Sequence, residues 1–261
     1  MKRIAVCLKP VIPSDNVRIG SDGQLDMKGT SYIVSPLDKF ALEEALILKE
    51  RFEAKVTAIS LGPLESRDIL REAIAAGVDD ATHIVDSALE KSQSSVATCR
   101  ALAQLLKAEK FDLVLTGVQS SDEGSGFVGT CLAHNLGTNL LTMISEIVGV
   151  QDTIVRCKKR LDNGDVATVD ANLPLVMTVQ GGKHLPRYVS TLKMIQARNK
   201  RIQTRSLEDF GVKNESASQT TAKVIAFYNP TKVKKTEMLE GSVEEISSKL
   251  ISKLIEERII C

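Results

Sequence analysis

The chain has 261 residues, 43% of them hydrophobic and 26% charged, which suits one large globular domain or a domain with appendages. Its formal net charge is +1, and only 3% of its residues are aromatic, with no tryptophan. These values argue against nucleic acid as a partner, because basic surface and stacking side chains are both scarce. The first apolar stretch is too short for a signal peptide, and no run of about 18 apolar residues predicts a membrane span.

The cysteines are spread over the whole sequence, at Cys7, Cys99, Cys131, Cys157 and Cys261. They form no C-x-x-C pair. An odd number of scattered cysteines is typical of reduced thiols in a cytoplasmic protein. The same scatter predicts that this chain binds no metal cluster by itself.

The first half of the chain alternates short apolar runs with amphipathic segments. Strands are predicted at Arg3–Leu8, Lys55–Leu61, Ala81–Val85 and Phe111–Leu115. Helices are predicted at Lys39–Phe52, Ser66–Ala76, Ser94–Glu109 and Phe127–Leu136. A polar excursion between the first strand and the first helix predicts a small hairpin around Ser21–Gly23. This alternation predicts a Rossmann-like α/β fold, with a parallel sheet covered by helices on both faces.

The pattern changes after about residue 140. Antiparallel β-ribbons are predicted at Ile144–Val150, Thr153–Lys159 and Val166–Ala171, followed by a buried strand at Leu175–Val179. Residues 183–205 are rich in Lys and Arg and are predicted to be irregular, and residues 213–221 form a polar linker. An amphipathic helix is predicted at Ser242–Ile260. We therefore expect an α/β domain over residues 1–205, with a linker and C-terminal arm over residues 206–261.

The loop after the fourth predicted strand has the composition of a phosphate-binding segment. It runs from Thr116 to Gly129 with the sequence TGVQSSDEGSGFVG. Ligands of open α/β sheets bind beyond the carboxyl ends of the strands, and the helix beginning near Phe127 favours an anion there. The glycines of the loop permit close approach of the backbone, and Ser125 can cap the helix or donate to a phosphate. A surface loop without a ligand is the alternative, since this is neither a P-loop nor a G-x-G-x-x-G turn.

Two further loops are expected at the same edge of the sheet. Gly62 and Pro63 follow the second strand, and Ser35–Asp38 precedes the first long helix. Asp38 can bind a nucleotide amine or simply cap its helix, and both interpretations stay open. The first strand is not followed by G-x-G-x-x-G, which argues against an ordinary NAD-dependent dehydrogenase. No S-G-G-x-D-S stretch occurs either, which disfavours an ATP pyrophosphatase.

Several segments, in their order along the chain, resemble the beta subunits of electron transfer flavoproteins. They are LKPV at 8–11, SPLD at 35–38, AISLGP at 58–63, GVQSSDEGSGFVG at 117–129, LPRY at 185–188 and ARNK at 197–200. The likeness extends over nearly the whole chain. It implies a heterodimer whose alpha subunit holds an electron-carrying FAD. The beta subunit of that family binds AMP, or a second FAD in electron-bifurcating members.

The resemblance also implies two sets of functional residues. The cofactor-binding set is Cys7, Leu8, Lys9, Ser35, Asp38, Leu61, Gly62, Thr116, Gly117, Gln119, Asp122, Ser125, Gly126, Phe127, Val128, Gly129 and Thr130. The set that recognises partner dehydrogenases is Arg187, Tyr188, Thr191, Leu192, Met194 and Ile195. No catalytic residue and no metal ligand is implied.

This chain departs from the family pattern at some of these positions. Many members have Asn where Ser35 stands, and housekeeping members carry Asn, Gln and Thr at positions 126–128. Backbone N–H groups must therefore bind more of the phosphate here. Thr191 stands where a leucine usually anchors the partner, with Leu192 one place later.

We therefore expect the beta subunit of a cytoplasmic heterodimer that passes electrons between dehydrogenases of the acyl-CoA dehydrogenase type and a downstream acceptor. One alternative is a bifurcating subunit whose FAD oxidises NADH. Another is a nucleotide-sensing module similar to universal stress proteins, which would be a homodimer without flavin. The basic residues of 183–205 form either a solvated face or a surface for an acidic partner. The three histidines, His83, His134 and His184, can be surface or packing residues. In one interpretation, Arg187 and Tyr188 are also packing residues.

Overall fold

The computed structural model describes residues 1–26, 29, 31–85, 95–206, 208–210, 225–228 and 236–260. The strands are β1 Arg3–Cys7, β2 Pro10–Val11, β3 Ile33–Val34, β4 Lys55–Leu61, β5 Asp80–Ile84, β6 Leu113–Gly117, β7 Asn139–Gln151, β8 Ile154–Arg160, β9 Val166–Asn172, β10 Leu175–Val179 and β11 Gln203–Arg205. The helices are α1 Pro36–Phe52, α2 Asp68–Ala76, α3 Ser95–Glu109, α4 Phe127–Leu136, α5 Thr191–Ala197 and α6 Val243–Glu256.

Nine of these strands form one sheet in the order β11-β5-β4-β1-β6-β10-β7-β8-β9. Pairing is parallel from β11 to β7, and antiparallel between β7 and β8 and between β8 and β9. The predicted Rossmann-like fold is confirmed. The predicted ribbons are also present, and they extend the same sheet because β10 returns between β6 and β7.

The central strands are buried along nearly their whole length because helices cover both faces of the sheet. Ile4 and Val6 of β1 pack into one core cluster with α1 and α2. Ala5 and Cys7 point to the other face, into a second cluster with α3 and α4. This alternation follows from the two-residue period of a strand. It fixes the strand ends, and hence the loops that follow them, in a rigid frame.

Residues 183–205 are not irregular throughout, which corrects the prediction for this segment. Helix α5 lies within it, and the Ser190 side chain caps that helix by accepting a hydrogen bond from the Lys193 N–H. Strand β11 also lies within it and pairs with β5 at the edge of the sheet. All three residues of β11 are exposed, so no apolar pattern marks this strand in the sequence. The predicted polar linker at 213–221 lies outside the described residues.

The predicted final helix is confirmed as α6, although it ends at Glu256 rather than Ile260. It starts with a capping box, in which Ser242 and Glu245 each bond the other's backbone N–H. None of the residues of α6 is buried. No helix in the described ranges is both long and apolar enough to cross a membrane.

Cys99 and Cys131 form a disulfide, so the expectation of reduced thiols is wrong for this pair. The cysteines lie on α3 and α4, and the packing of these two helices brings their Cα atoms to 6.3 Å, within the range that a disulfide spans. Cys7 and Cys157 are free and buried. The cytoplasmic location, which relied partly on reduced thiols, stays a prediction.

Candidate functional site

A cavity of about 1040 Å³ lies where β1, β4 and β6 end and where α1 and α4 begin. Strand β1 occupies the middle of the sheet, and the chain places β4 on one side of it and β6 on the other. This is the switch in strand order at which open α/β sheets bind their ligands. The size suits a large organic ligand, since small-molecule sites usually enclose roughly 300–1,000 Å³.

The structure brings nearly all of the cofactor-binding residues implied by the resemblance together around this cavity. The lining includes Cys7, Leu8, Lys9, Asp38, Leu61, Gly62, Thr116, Gly117, Gln119, Asp122, Ser125, Gly126, Phe127, Val128 and Gly129. Ser35 and Thr130 do not belong to the lining. Ser35 is fully buried at the start of α1, and Thr130 is exposed to solvent.

Asp38 ties two strand ends together beneath the cavity. Its carboxylate accepts hydrogen bonds from the Lys9 N–H at 2.7 Å and from the Gly117 N–H at 2.8 Å. Burial raises the pKa of Asp38 to about 7, in spite of the two N–H donors, which act in the opposite direction. The side chain thus does not cap its own helix, and it holds the ends of β1 and β6 at a fixed separation.

Two glycines permit the close packing around the cavity. A Cβ atom on Gly117 would lie 2.5 Å from Asp38 Oδ1 and 2.9 Å from the Asp38 backbone nitrogen. A Cβ atom on Gly129 would lie 2.4 Å from Thr178 Cγ2 and 2.9 Å from Thr116 Oγ1. All four distances are shorter than the contacts that a Cβ atom makes in proteins, so neither position has room for a side chain. The first turns of α1 and α4 therefore approach the sheet closely only because these positions are glycine.

Lys9 organises the loop that forms one wall of the cavity. Its ammonium group pairs with Asp122 at 2.9 Å and Glu123 at 3.2 Å, and donates to Ser120 Oγ at 3.3 Å. Burial raises the pKa of Asp122, but hydrogen bonds from Ser120 and Lys9 outweigh it and hold that pKa below its ordinary value. The side chain of Lys9 thus fastens the end of β1 to the loop that precedes α4.

The N-terminus of α4 faces the cavity without a side-chain cap. Its N-cap residue is Gly126, with φ of 62°, and no side chain bonds the free N–H groups of the first turn. Ser125 therefore does not cap the helix, which was one of its two predicted roles. Phe127, Val128 and Gly129 of this first turn line the cavity. Free N–H groups at the positive end of a helix dipole suit an anionic group such as a phosphate.

The outer part of the cavity is apolar and includes residues that the sequence did not indicate. Leu25 and Tyr32 line it from the excursion after β1, and Phe227 lines it from the C-terminal region. The antiparallel bridge between Ile19 and Leu25 confirms the predicted hairpin. The Phe227 N–H donates to the Gly23 carbonyl at 2.8 Å, which attaches residues 225–228 to this hairpin. An aromatic ring system is the type of ligand group that such a wall accepts.

The chemical groups around the cavity favour binding over catalysis. Burial, and secondarily Asp38, raise the pKa of the Cys7 thiol to about 12, so it is not a nucleophile near neutral pH. Among the described lining residues, the charged groups are Lys9, Asp38, Asp122 and Glu123, and Lys9 is already paired with the last two. An uncapped helix end beside an apolar wall fits a nucleotide, with its phosphate at α4 and its base against the apolar residues.

The residues predicted to recognise a partner lie in a segment that we call the recognition segment, residues 183–197. Tyr188 is 86% exposed, and Leu185, Leu192 and Ile195 are 76%, 64% and 52% exposed. Thr191 is exposed and Met194 is half-buried. The Arg187 guanidinium instead pairs with Glu43 and Glu50 of α1. His184 pairs with Glu44, and His83 is buried with its Nε2 3.3 Å from Ser66 Oγ, so both are packing residues.

The fold and the cavity place the chain among doubly wound α/β proteins with a ligand cavity at the carboxyl edge of the sheet. Residues 22–210 match the model of the electron transfer flavoprotein domain. The chain is 33% identical to the electron transfer flavoprotein subunit beta of Clostridium acetobutylicum, over 98% of this chain and 99% of that protein.

Two other relatives have different names. The chain is 29% identical to the caffeyl-CoA reductase-Etf complex subunit CarD of Acetobacterium woodii, over 99% of this chain and all of that protein. It is 33% identical to protein FixA of Azotobacter vinelandii, over 70% of this chain and 67% of that protein. The chain belongs to the electron transfer flavoprotein beta subunit family, and its role is therefore in electron transfer, not in nucleotide sensing of the universal stress type.

Proposed function

We propose that this chain is the beta subunit of a heterodimeric electron transfer flavoprotein that carries electrons between a flavoprotein dehydrogenase and a downstream acceptor. The alpha subunit would hold the electron-carrying FAD, and this chain would hold an adenine nucleotide in the cavity between β1, β6 and α4. Redox chemistry belongs to the flavin in such a complex, and the protein supplies binding, orientation and electrostatics.

The observation that carries this proposal is the uncapped N-terminus of α4 beside an apolar cavity wall. The N–H groups that follow Gly126 would bind the phosphate, and the side chains of Leu25, Tyr32 and Phe227 would contact the base. Lys9 would orient the loop, through the pairs it makes with Asp122 and Glu123. Each of these contributions is binding or positioning, which agrees with a carrier that makes and breaks no bond of its own.

The C-terminal region supports a partner subunit. Leu250, Ile251 and Ile255 of α6 are each about half exposed, and none of the helix is buried against the rest of the chain. An amphipathic helix with an uncovered apolar face gains stability when a partner covers it. We propose that residues 206–261 act as an arm that contacts the alpha subunit, while residues 1–205 form the nucleotide-binding domain.

An electron-bifurcating subunit is the second candidate. It is supported by the volume of the cavity, which at about 1040 Å³ extends well beyond the α4 N-terminus to the Tyr32 and Phe227 side chains. Both ligands would place a phosphate at the α4 N-terminus and reach this outer apolar part, but a second FAD, which carries a flavin as well as an adenosine, would fill more of the volume than AMP.

The proposal is tested by electron transfer in the purified heterodimer. The chain is co-expressed with an alpha subunit, and the complex is mixed with an acyl-CoA dehydrogenase that has been reduced by its acyl-CoA substrate. We expect the flavin absorbance of the heterodimer to bleach in a saturable manner. NADH should not bleach it, unless the second candidate is correct. A heterodimer that accepts electrons from no flavoprotein dehydrogenase contradicts the proposal.

A further inference from the structure

The first half of the recognition segment lies in a stretch without regular secondary structure, residues 180–190, and side-chain contacts attach this stretch to the domain. Lys183 pairs with Glu146 of β7 at 2.8 Å, and His184 Nδ1 lies 2.8 Å from a carboxylate oxygen of Glu44. Arg187 pairs with Glu43 at 2.9 Å. Backbone hydrogen bonds from Gln180 to Ile144 and from Lys183 to Ser145 hold the start of this stretch, and side-chain contacts hold the part that follows.

Glu43 makes the most contacts with the segment. Its carboxylate accepts the Arg187 backbone N–H at 2.9 Å, and also accepts Nε and Nη2 of the same guanidinium at 2.9 Å. The Glu43 residue is only 7% exposed. The hydrogen bonds that Arg187 donates to Glu43 and to Glu50 raise the pKa of Arg187, so the guanidinium stays charged. The buried Glu43 carboxylate accepts hydrogen bonds from the backbone N–H and from two nitrogens of the planar guanidinium group. These bonds fix both the position and the orientation of Arg187.

This arrangement determines which side chains the segment presents to solvent. Arg187 points back to α1, and the adjacent Tyr188 is 86% exposed. Leu185 precedes Arg187 in the chain, and Leu192 and Ile195 follow it on α5. All three leucine and isoleucine side chains are more than half exposed. Exposed aromatic and aliphatic side chains grouped in one segment are typical of a protein-binding surface. Such a surface binds more tightly when it is held in its bound conformation beforehand.

We propose that Glu43 is a positioning residue for partner docking, which acts through Arg187 to hold the recognition segment in the conformation that a flavoprotein dehydrogenase binds. The assignment gives Arg187 an intramolecular role in place of a direct contact with the partner. It rests on the proposed function for the identity of the partner, but the hold of Glu43 on the segment can be measured without any partner.

The first test is amide hydrogen exchange of the intact heterodimer, with the Glu43→Gln variant compared with the wild type. We expect the Arg187 amide and its neighbours in residues 184–190 to exchange at least tenfold faster in Glu43→Gln. Glu50→Gln is the matched control, because Glu50 is on the same helix and pairs with the same arginine, but its side chain is 60% exposed. The control should change these rates by less than twofold.

Arg187→Lys provides a second variant, since it keeps the positive charge and removes the planar guanidinium group that binds Glu43 through two nitrogens. It should also speed the exchange of residues 184–190, with the nucleotide content of the heterodimer unchanged. Equal exchange in the wild type and in Glu43→Gln would overturn the inference. So would a wild-type segment that exchanges as fast as an unstructured peptide.

The second test separates positioning from catalysis. With an acyl-CoA dehydrogenase reduced by its substrate as electron donor, Glu43→Gln should raise the KM for the heterodimer about tenfold and change kcat by less than twofold. An unchanged KM would overturn the docking role. If the dehydrogenase does not reduce the wild-type heterodimer, the proposed function fails. The hydrogen-exchange rates then still decide whether Glu43 holds the recognition segment.

Discussion

Replacing Asp38 by Asn gives a prediction whose sign depends on pH. The Asp38 carboxyl is 6% exposed and accepts two backbone N–H groups, from Lys9 and Gly117. The protonated carboxyl that prevails at pH 5 can still accept at both oxygens, because its hydroxyl oxygen keeps lone pairs, whereas an Asn side chain would turn its NH₂ group towards one of these donors. A buried polar group left without a partner costs roughly 1–3 kcal/mol. At pH 5 we therefore expect Asp38→Asn to lower the free energy of unfolding by about that amount.

The cost should shrink as the pH rises. The pKa of Asp38 is raised from 3.8 to about 7 in the folded chain, so the folded state retains a proton that the unfolded state has already lost. Its contribution to the free energy of unfolding is complete below the unfolded pKa and is lost as pH rises towards the folded pKa. Between pH 5 and pH 8 this linkage removes roughly 2–3 kcal/mol from the wild type and nothing from the Asn variant.

The assay is urea unfolding, followed by circular dichroism, of the wild type and of Asp38→Asn at pH 5 and pH 8. We expect a clear destabilisation at pH 5 and nearly equal stabilities at pH 8. Asp122→Asn is the control, because the pKa of Asp122 is lowered and this carboxyl is ionised in both states over the whole interval. Its cost should be the same at both pH values. An Asp38→Asn cost that does not change with pH would refute a raised pKa.

Further expectations concern the cavity and the disulfide. Gly129→Ala forces a methyl group against Thr178, so the heterodimer should lose its nucleotide during gel filtration while Gly164→Ala, in an exposed turn, retains it. Lys9→Met removes two partly exposed ion pairs worth about 0.5 kcal/mol each, so nucleotide affinity should fall roughly fivefold in calorimetry. Reducing the Cys99–Cys131 disulfide, which joins residues 32 apart in sequence, should lower the free energy of unfolding by about 3.7 kcal/mol. Thiol labelling before and after a reductant measures whether the pair is oxidised, and unchanged stability would contradict that estimate.

The fold was predictable because its signals are local and repeated. Apolar runs such as those of β1 and β6 alternate with amphipathic helices, and this pattern alone indicates a parallel sheet. The cavity followed from it, since the loop after β6 must lie at the carboxyl edge of the sheet. Most of the residues that the resemblance implied then proved to line this cavity. Ser35 is not part of the lining, because it is fully buried at the start of α1.

Other features depend on contacts between residues that are far apart in the chain. Arg187 and Glu43 are 144 residues apart, and nothing in the spacing of either residue indicates the other. Phe227 reaches the cavity through one backbone hydrogen bond to Gly23, in a region without apolar periodicity. Strand β11 pairs through its backbone alone, with every side chain exposed. Such contacts are specified by the assembled fold and not by local sequence.

The central claim is that this chain holds an adenine nucleotide at the N-terminus of α4 within a flavin-bearing heterodimer. The most direct test is to co-purify the chain with an alpha subunit and to quantify flavin and adenine nucleotide in the denatured complex. The account predicts one FAD and one AMP per heterodimer. Two FAD molecules would replace the simple carrier by the bifurcating candidate. A chain that pairs with no alpha subunit and carries no nucleotide would contradict the account.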